Sequence, residues 1–229
     1  MWDREAVFNS LSVFSGKRYR QGCLNQQMTF MNTIDTIRED WTKIAKRLNG
    51  KLYFNETSKA HFNAGIITAR ISYNFNETSI EIHQAIFERG KGKIDYNLLE
   101  ISTELLEDSF TLNLWRLDFL ERLFNRRRMK TGLADFDKKI GFECSTENLA
   151  YEIFNVWEIR KEFLFNRNPI LNTIDEKNGR IIRMKSLIAP YDTEEIENFT
   201  ELFNKIIEKL QKKKLIKAQP ITAAKPNQG

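Results

Sequence analysis

Along the chain, apolar residues recur at helical spacing in two flanking stretches and at every second position between them. From about Asn32 to Leu48, Ile34, Ile37, Trp41, Ile44, Ala45 and Leu48 fall on one side of a helical wheel. Asp35, Arg38, Glu39, Lys43 and Lys46 fall elsewhere, so the segment reads as an amphipathic helix. Asn49-Gly50 supplies the left-handed stop. Ile67, Ala69, Ile71, Tyr73 and Phe75 then alternate with Thr68, Arg70, Ser72 and Asn74, which predicts a strand with one buried and one wet face. Ser79–Phe87 continues the alternation after Asn76-Glu77-Thr78, a sequence suited to a hairpin turn. Lys93–Ile101 and the stretch around Phe110, Leu112 and Leu114 add further strands. No helical crossover separates them, so they read as an antiparallel meander.

The second half mixes the two periods. Leu117–Arg126 carries Leu117, Leu120, Leu123 and Phe124 on one side and predicts a short helix; Lys139–Cys144 predicts a brief strand. Ser145 is placed to cap a helix through Leu149, Ile153, Phe154 and Trp157, reaching Phe163. Pro169–Asp175 and Arg180–Ile188 flank Glu176-Lys177-Asn178-Gly179 as a hairpin. Asp192 and Glu195 begin a last helix over 193–212, with Ile196, Phe199, Phe203, Ile206, Ile207 and Leu210 as its apolar stripe. The expected architecture is α+β: an antiparallel β-meander sheet of six to eight strands, with helices 32–48, 146–163 and 193–212 on one face. Phe-Asn-Glu-Thr-Ser occurs twice, at 54–58 and 75–79, and reads as similar turn chemistry at two strand ends.

Composition bounds this picture without redirecting it. In 229 residues, 41% are hydrophobic, enough for a self-sufficient core and too many for a disordered chain. Residues 31–212 read as one domain, preceded by an arm or docking helix over 1–30. Trp2, Phe8, Leu11 and Phe14 there could also form a weak membrane-interface helix. Residues 213–229 read as a basic flexible tail. The net charge of +5 resides at this end: residues 201–229 hold seven lysines and two glutamates, and the other 200 residues carry 29 charges of each sign. With no apolar run of spanning length, no signal-peptide pattern and only Cys23 and Cys144, the chain is expected in the cytoplasm, peripheral to a membrane at most.

Chemistry-bearing patterns are few. His61, His83, Cys23 and Cys144 lack zinc-knuckle spacing, Gly90-Lys91-Gly92 is not a phosphate loop, and no nucleophile motif is present, so neither a catalytic residue nor a metal or other cofactor is assigned. Asp135 and Asp137 sit in a Gly-containing turn. Two neighbouring carboxylates can hold Mg²⁺ or exchange protons, with Glu143 as a further acidic partner; more simply, one caps the turn while Phe136 anchors it. Arg126, Arg127, Arg128 and Lys130 form the densest basic run and could meet phosphates, although cations near a helix C-terminus also serve its dipole.

The turn Thr131-Gly132-Leu133-Ala134-Asp135-Phe136-Asp137 resembles the Thr-Gly-Asp-x-x-Phe-Asp turn of a group of uncharacterised bacterial proteins. Those proteins also have a tryptophan-bearing helix and a β-meander. The resemblance spans residues 31–210 and implies a fold type and a bacterial origin, with no activity attached. Leu133 stands where the group has an acidic residue, which weakens any metal role for the turn. Taken together, the sequence points to a non-catalytic binding or scaffolding module with an unknown protein partner. A metal-dependent hydrolase or phosphotransfer enzyme on Asp135 and Asp137, or a nucleic-acid or membrane binder through Arg126–Arg128, are the alternatives.

Overall fold

A computed structural model describes residues 30–59, 64–89, 93–94, 97–106, 110–118, 129–146, 148–165, 169–177 and 179–216. The first helix, α1 (Phe30–Arg47), buries Ile37, Trp41, Ile44 and Ala45, the predicted stripe. Asn49 takes the left-handed conformation (φ 51°) and lets the Gly50 N–H bond to the Ala45 carbonyl at 2.8 Å, which closes the helix. Strands β1 (Lys51–Lys59), β2 (Ala64–Phe75) and β3 (Thr78–Arg89) follow, each antiparallel to the one before. Asn76 and Glu77, both with positive φ, form the two-residue turn between β2 and β3.

The expected single strand over Lys93–Ile101 is divided. Two-residue β4 (Lys93–Ile94) pairs with the end of β3, and β5 (Asn97–Glu104) pairs with its middle. β6 (Leu112–Arg116) leads to a single helical turn, α2 (Ala134–Asp137), and to β7 (Ile140–Cys144). The helix expected over 146–163 is two helices, α3 (Leu149–Phe154) and α4 (Trp157–Phe165). Ser145 does not cap it: Asn148, at φ 66°, occupies the N-cap, while the Ser145 hydroxyl accepts the Thr111 N–H. The hairpin β8 (Ile170–Glu176) and β9 (Gly179–Ile188) precedes α5 (Thr193–Lys212), where Asp192 accepts the Glu195 N–H as the sequence predicts. The helix predicted over Leu117–Arg126 falls almost wholly outside the described residues, as do residues 1–29 and 217–229 of the two terminal segments.

The sheet is antiparallel throughout, in the order β1-β2-β3-β5-β9-β8-β6-β7, with β4 beside β3. Its first half is a meander; the β8–β9 hairpin then inserts between β5 and β6. One face carries Ile67, Ala69, Ile71, Ile80, Ile82, Leu99, Ile101, Ile182 and Met184 into a single core shared with the helices. Burying each of the Ile, Leu and Met side chains among these contributes about 1.5–3 kcal/mol. Tyr73 enters the same core and donates its hydroxyl to Asn204 on α5, and burial raises its pKa. Beyond α5, Ile216 bridges to Leu105 and is buried. No helix among the described residues is long and apolar enough to cross a membrane.

The opposite face is charged and polar but interrupted by exposed apolar residues, Leu98 paired with Leu187 and, on β8, Ile170. Across it, Tyr53, Arg70, His83, Glu100, Lys185 and Ile170 stand in one cross-strand row. Glu100 accepts Lys185 at 2.8 Å and lies 3.5 Å from Arg183. Charges of both signs therefore neutralise one another in place, each pair contributing a few tenths of a kcal/mol to about 1 kcal/mol.

Candidate functional site

The chain enters α2 through a loop built around one carboxylate. Asp137 accepts the Thr131 N–H (2.9 Å), the Thr131 hydroxyl (2.7 Å) and the Gly132 N–H (3.0 Å), and the same hydroxyl accepts the Leu133 N–H. Gly132 sits at φ 86° with open space where a Cβ would be, so conformation rather than crowding selects glycine there. Phe136 is fully buried, stacked on Phe154 at 4.6 Å, with Phe163 edge-on to Phe154 at 5.0 Å. These contacts give the turn its structural reading: Asp137 ties the loop to itself and Phe136 anchors it.

Asp135 points the other way. One oxygen accepts the Phe136 N–H, and the other lies 3.3 Å from Nε of Arg160 on α4. The Arg160 guanidinium also donates to the Phe154 carbonyl and lies over the Trp157 ring, 5.2 Å from its centroid. Trp157 meets Phe165 edge-on, with centroids 6.2 Å apart, and the Lys139 ammonium sits 4.6 Å from the Phe165 ring. Lys139 also reaches the Leu164 carbonyl at 3.5 Å. A continuous chain of contacts thus runs from Asp135 through Arg160, Trp157 and Phe165 to Lys139. It closes a platform over the junction of α2, β7 and α4.

Both rings of this platform face solvent: Trp157 is 48% and Phe165 65% exposed. Trp157 thus parts company with Leu149, Ile153 and Phe154, which are buried. α4 starts anew after Asn155-Val156, and its buried side is set by Ile159, Phe163 and Leu164. Trp157, Lys161 and Phe165, four residues apart, form a second stripe on another side. The signal was present as a surplus of apolar residues around this short helix, more than one buried face can absorb.

Of the residues singled out in the sequence, Asp135 and Asp137 share the loop, but their oxygens are engaged as described. Glu143 is exposed on β7. Among the described residues no three His, Cys, Asp or Glu side chains gather as a metal-binding group, so Glu143 does not complete one with the two aspartates. Lys130 is exposed at the mouth of the loop, whereas Arg126, Arg127 and Arg128 lie outside the described residues. His83 stands on the polar sheet face; burial and Arg70 lower its pKa, against the pull of Glu100 and Glu81. Cys144 is a buried free thiol whose pKa is raised by burial, so it has little thiolate character. Family models, curated proteins and solved structures return no match to this chain.

Proposed function

We propose that this protein is a non-catalytic binding module of a bacterial cytoplasm, and that the Trp157–Phe165 platform is its contact surface. The observation that carries the reading is the exposure of two large rings held in fixed orientation by Arg160 and Lys139. Rings of this size contribute most to a fold when buried, and aromatic and arginine side chains are the residues that dominate contact energies at interfaces. The loop chemistry supports the same reading. Asp135 and Asp137, the pair on which a hydrolase would be built, instead stabilise the loop and orient Arg160 beneath Trp157.

A test needs no ligand. Replacing either Trp157 or Phe165 with serine costs about 1–2 kcal/mol, because roughly half of Trp157 and two thirds of Phe165 are already in water. Phe154→Ala, in the same layer but buried, costs about 3–5 kcal/mol. Thermal melts of the three variants should separate them clearly. A loss for the exposed rings as large as that of Phe154 would make them part of the core and end the platform reading. Millimolar Mg²⁺ or Mn²⁺ should leave the melting temperature unchanged; a rise would restore the enzyme built on Asp135 and Asp137.

A further inference from the structure

We infer that the Met129 thioether is an oxidation site, and that its conversion to the sulfoxide by hydrogen peroxide unfastens the entry of the Thr131–Asp137 loop from β7. Two sulfur atoms meet at the end of that strand. The Cys144 N–H donates to Sδ of Met129 at 3.4 Å, and the Cys144 thiol donates to the Thr146 carbonyl at 3.3 Å. β7 is the last strand of the sheet and pairs with β6 alone. An amide on the outer side of such a strand has no ladder partner and takes the acceptor that the chain brings to it. Here the acceptor is a side chain fifteen positions earlier, just ahead of the loop, so this one contact fastens the loop's entry to the strand that follows it.

The two sulfurs differ in access. Met129 is 43% exposed, whereas Cys144 is buried and Met184 on β9 is fully covered. Burial also holds the Cys144 thiol in its protonated form, which is slow to attack peroxide. A thioether needs no deprotonation. Its sulfur attacks one peroxide oxygen with a lone pair and the O–O bond breaks. The departing hydroxide then removes the proton of the transferred hydroxyl and leaves as water, so that sulfur is oxidised and peroxide reduced by one electron pair. The side of the sulfur that meets the Cys144 N–H is shielded by that contact, and the oxygen arrives on the open side. Sulfur becomes the positive end of the new S–O dipole and stops accepting the amide. A thioether is a weak acceptor to begin with, and its flexible side chain turns away readily once the bond is gone.

The experiment treats the full chain with hydrogen peroxide, maps the peptides by mass and follows amide exchange at Cys144 by NMR. In the folded protein the Met129 peptide should gain an oxygen while the Met184 peptide does not; in urea both should. Exchange at Cys144 should quicken roughly 2- to 10-fold, as the loss of one modest hydrogen bond requires. Methionine sulfoxide reductases acting on both epimers should restore the original rate. Met129→Leu carries no acceptor, so its Cys144 amide should exchange at the faster rate from the outset and ignore peroxide. Cys144→Ser should keep the response, because the backbone amide and not the thiol is the donor to Met129.

Equal oxidation of Met129 and Met184 in the folded protein overturns the site. An unaltered Cys144 exchange rate, either in the sulfoxide form or in Met129→Leu, overturns the unfastening. A response that disappears in Cys144→Ser moves the chemistry to the thiol and overturns the inference as well.

Discussion

Asp137 and His83 show how a charged or titratable side chain can serve the fold alone. Asp137 gathers two backbone N–H groups and a hydroxyl into one loop. Its replacement by alanine leaves those donors without their acceptor, at a cost of about 2 kcal/mol. In a chain of this size that lowers the melting temperature by about 4–8 °C. The loss should be identical in EDTA and in Mg²⁺; a loss seen only with metal present would contradict the structural role. His83 makes a different prediction. Burial and Arg70 hold its imidazole below the ordinary pKa of 6.5, outweighing the acidic neighbours Glu100 and Glu81. On acidification the unfolded chain therefore takes up this proton first. Stability is lost as pH falls below about 6.5, until the folded imidazole protonates too. His83→Gln removes that contribution, so the variant should lose less melting temperature than the natural chain between pH 7 and pH 5.

At the level of elements, β6 and β7 depend on one glycine. A Cβ on Gly141 would lie 2.6 Å from the Trp115 indole and 2.8 Å from Leu117. Gly141→Ala must push the ring off the strand and should cost about 1–3 kcal/mol, measurable in urea unfolding. Elements with many periodic residues were legible from the sequence: α1, α5, β2, β3 and the β8–β9 hairpin stand where periodicity placed them. β1 was not foreseen. Only Leu52 and Phe54 alternate in it, because an edge strand need not bury a full row. The repeated pentapeptide is the sharpest case. Phe54–Ser58 is extended strand paired to β2, whereas Phe75–Ser79 contains the tight turn into β3, so the expected common turn is overturned. Five identical residues adopt two conformations because their neighbours decide: Lys51–Phe54 carries the first pairing forward, while Ile80 and Ile82 fold the second back. The two halves of the predicted 146–163 helix and the exposed Trp157 escaped for a related reason. Apolar content reported helix correctly, but not which ring would be left outside.

For the whole molecule, α+β class and the one-sided arrangement of helices followed from alternation in the middle and helical stripes at the flanks. Strand order did not, since pairing partners distant in sequence leave no local trace. The candidate site was half legible. Asp135, Asp137 and Lys130 were visible as a polar turn; the connection from that turn to Trp157 and Phe165 exists only once β7 brings Lys139 beside α4. The polar sheet face, with its self-neutralised row of Arg70, Glu100 and Lys185, accounts for many of the charges that composition alone presents as candidates for binding.

Insertion of the final hairpin has a consequence during synthesis. When the ribosome has delivered β1 through β5, the outer rim of β5 has no strand to receive it, and β9, its neighbour in the finished sheet, ends roughly 80 residues later. At ordinary elongation rates that interval is on the order of 4–16 s. A nascent chain stalled before Arg180 therefore displays an open hydrogen-bonding edge beside Leu99 and Ile101 in the centre of its future sheet, the state in which a folding chaperone would recognise it.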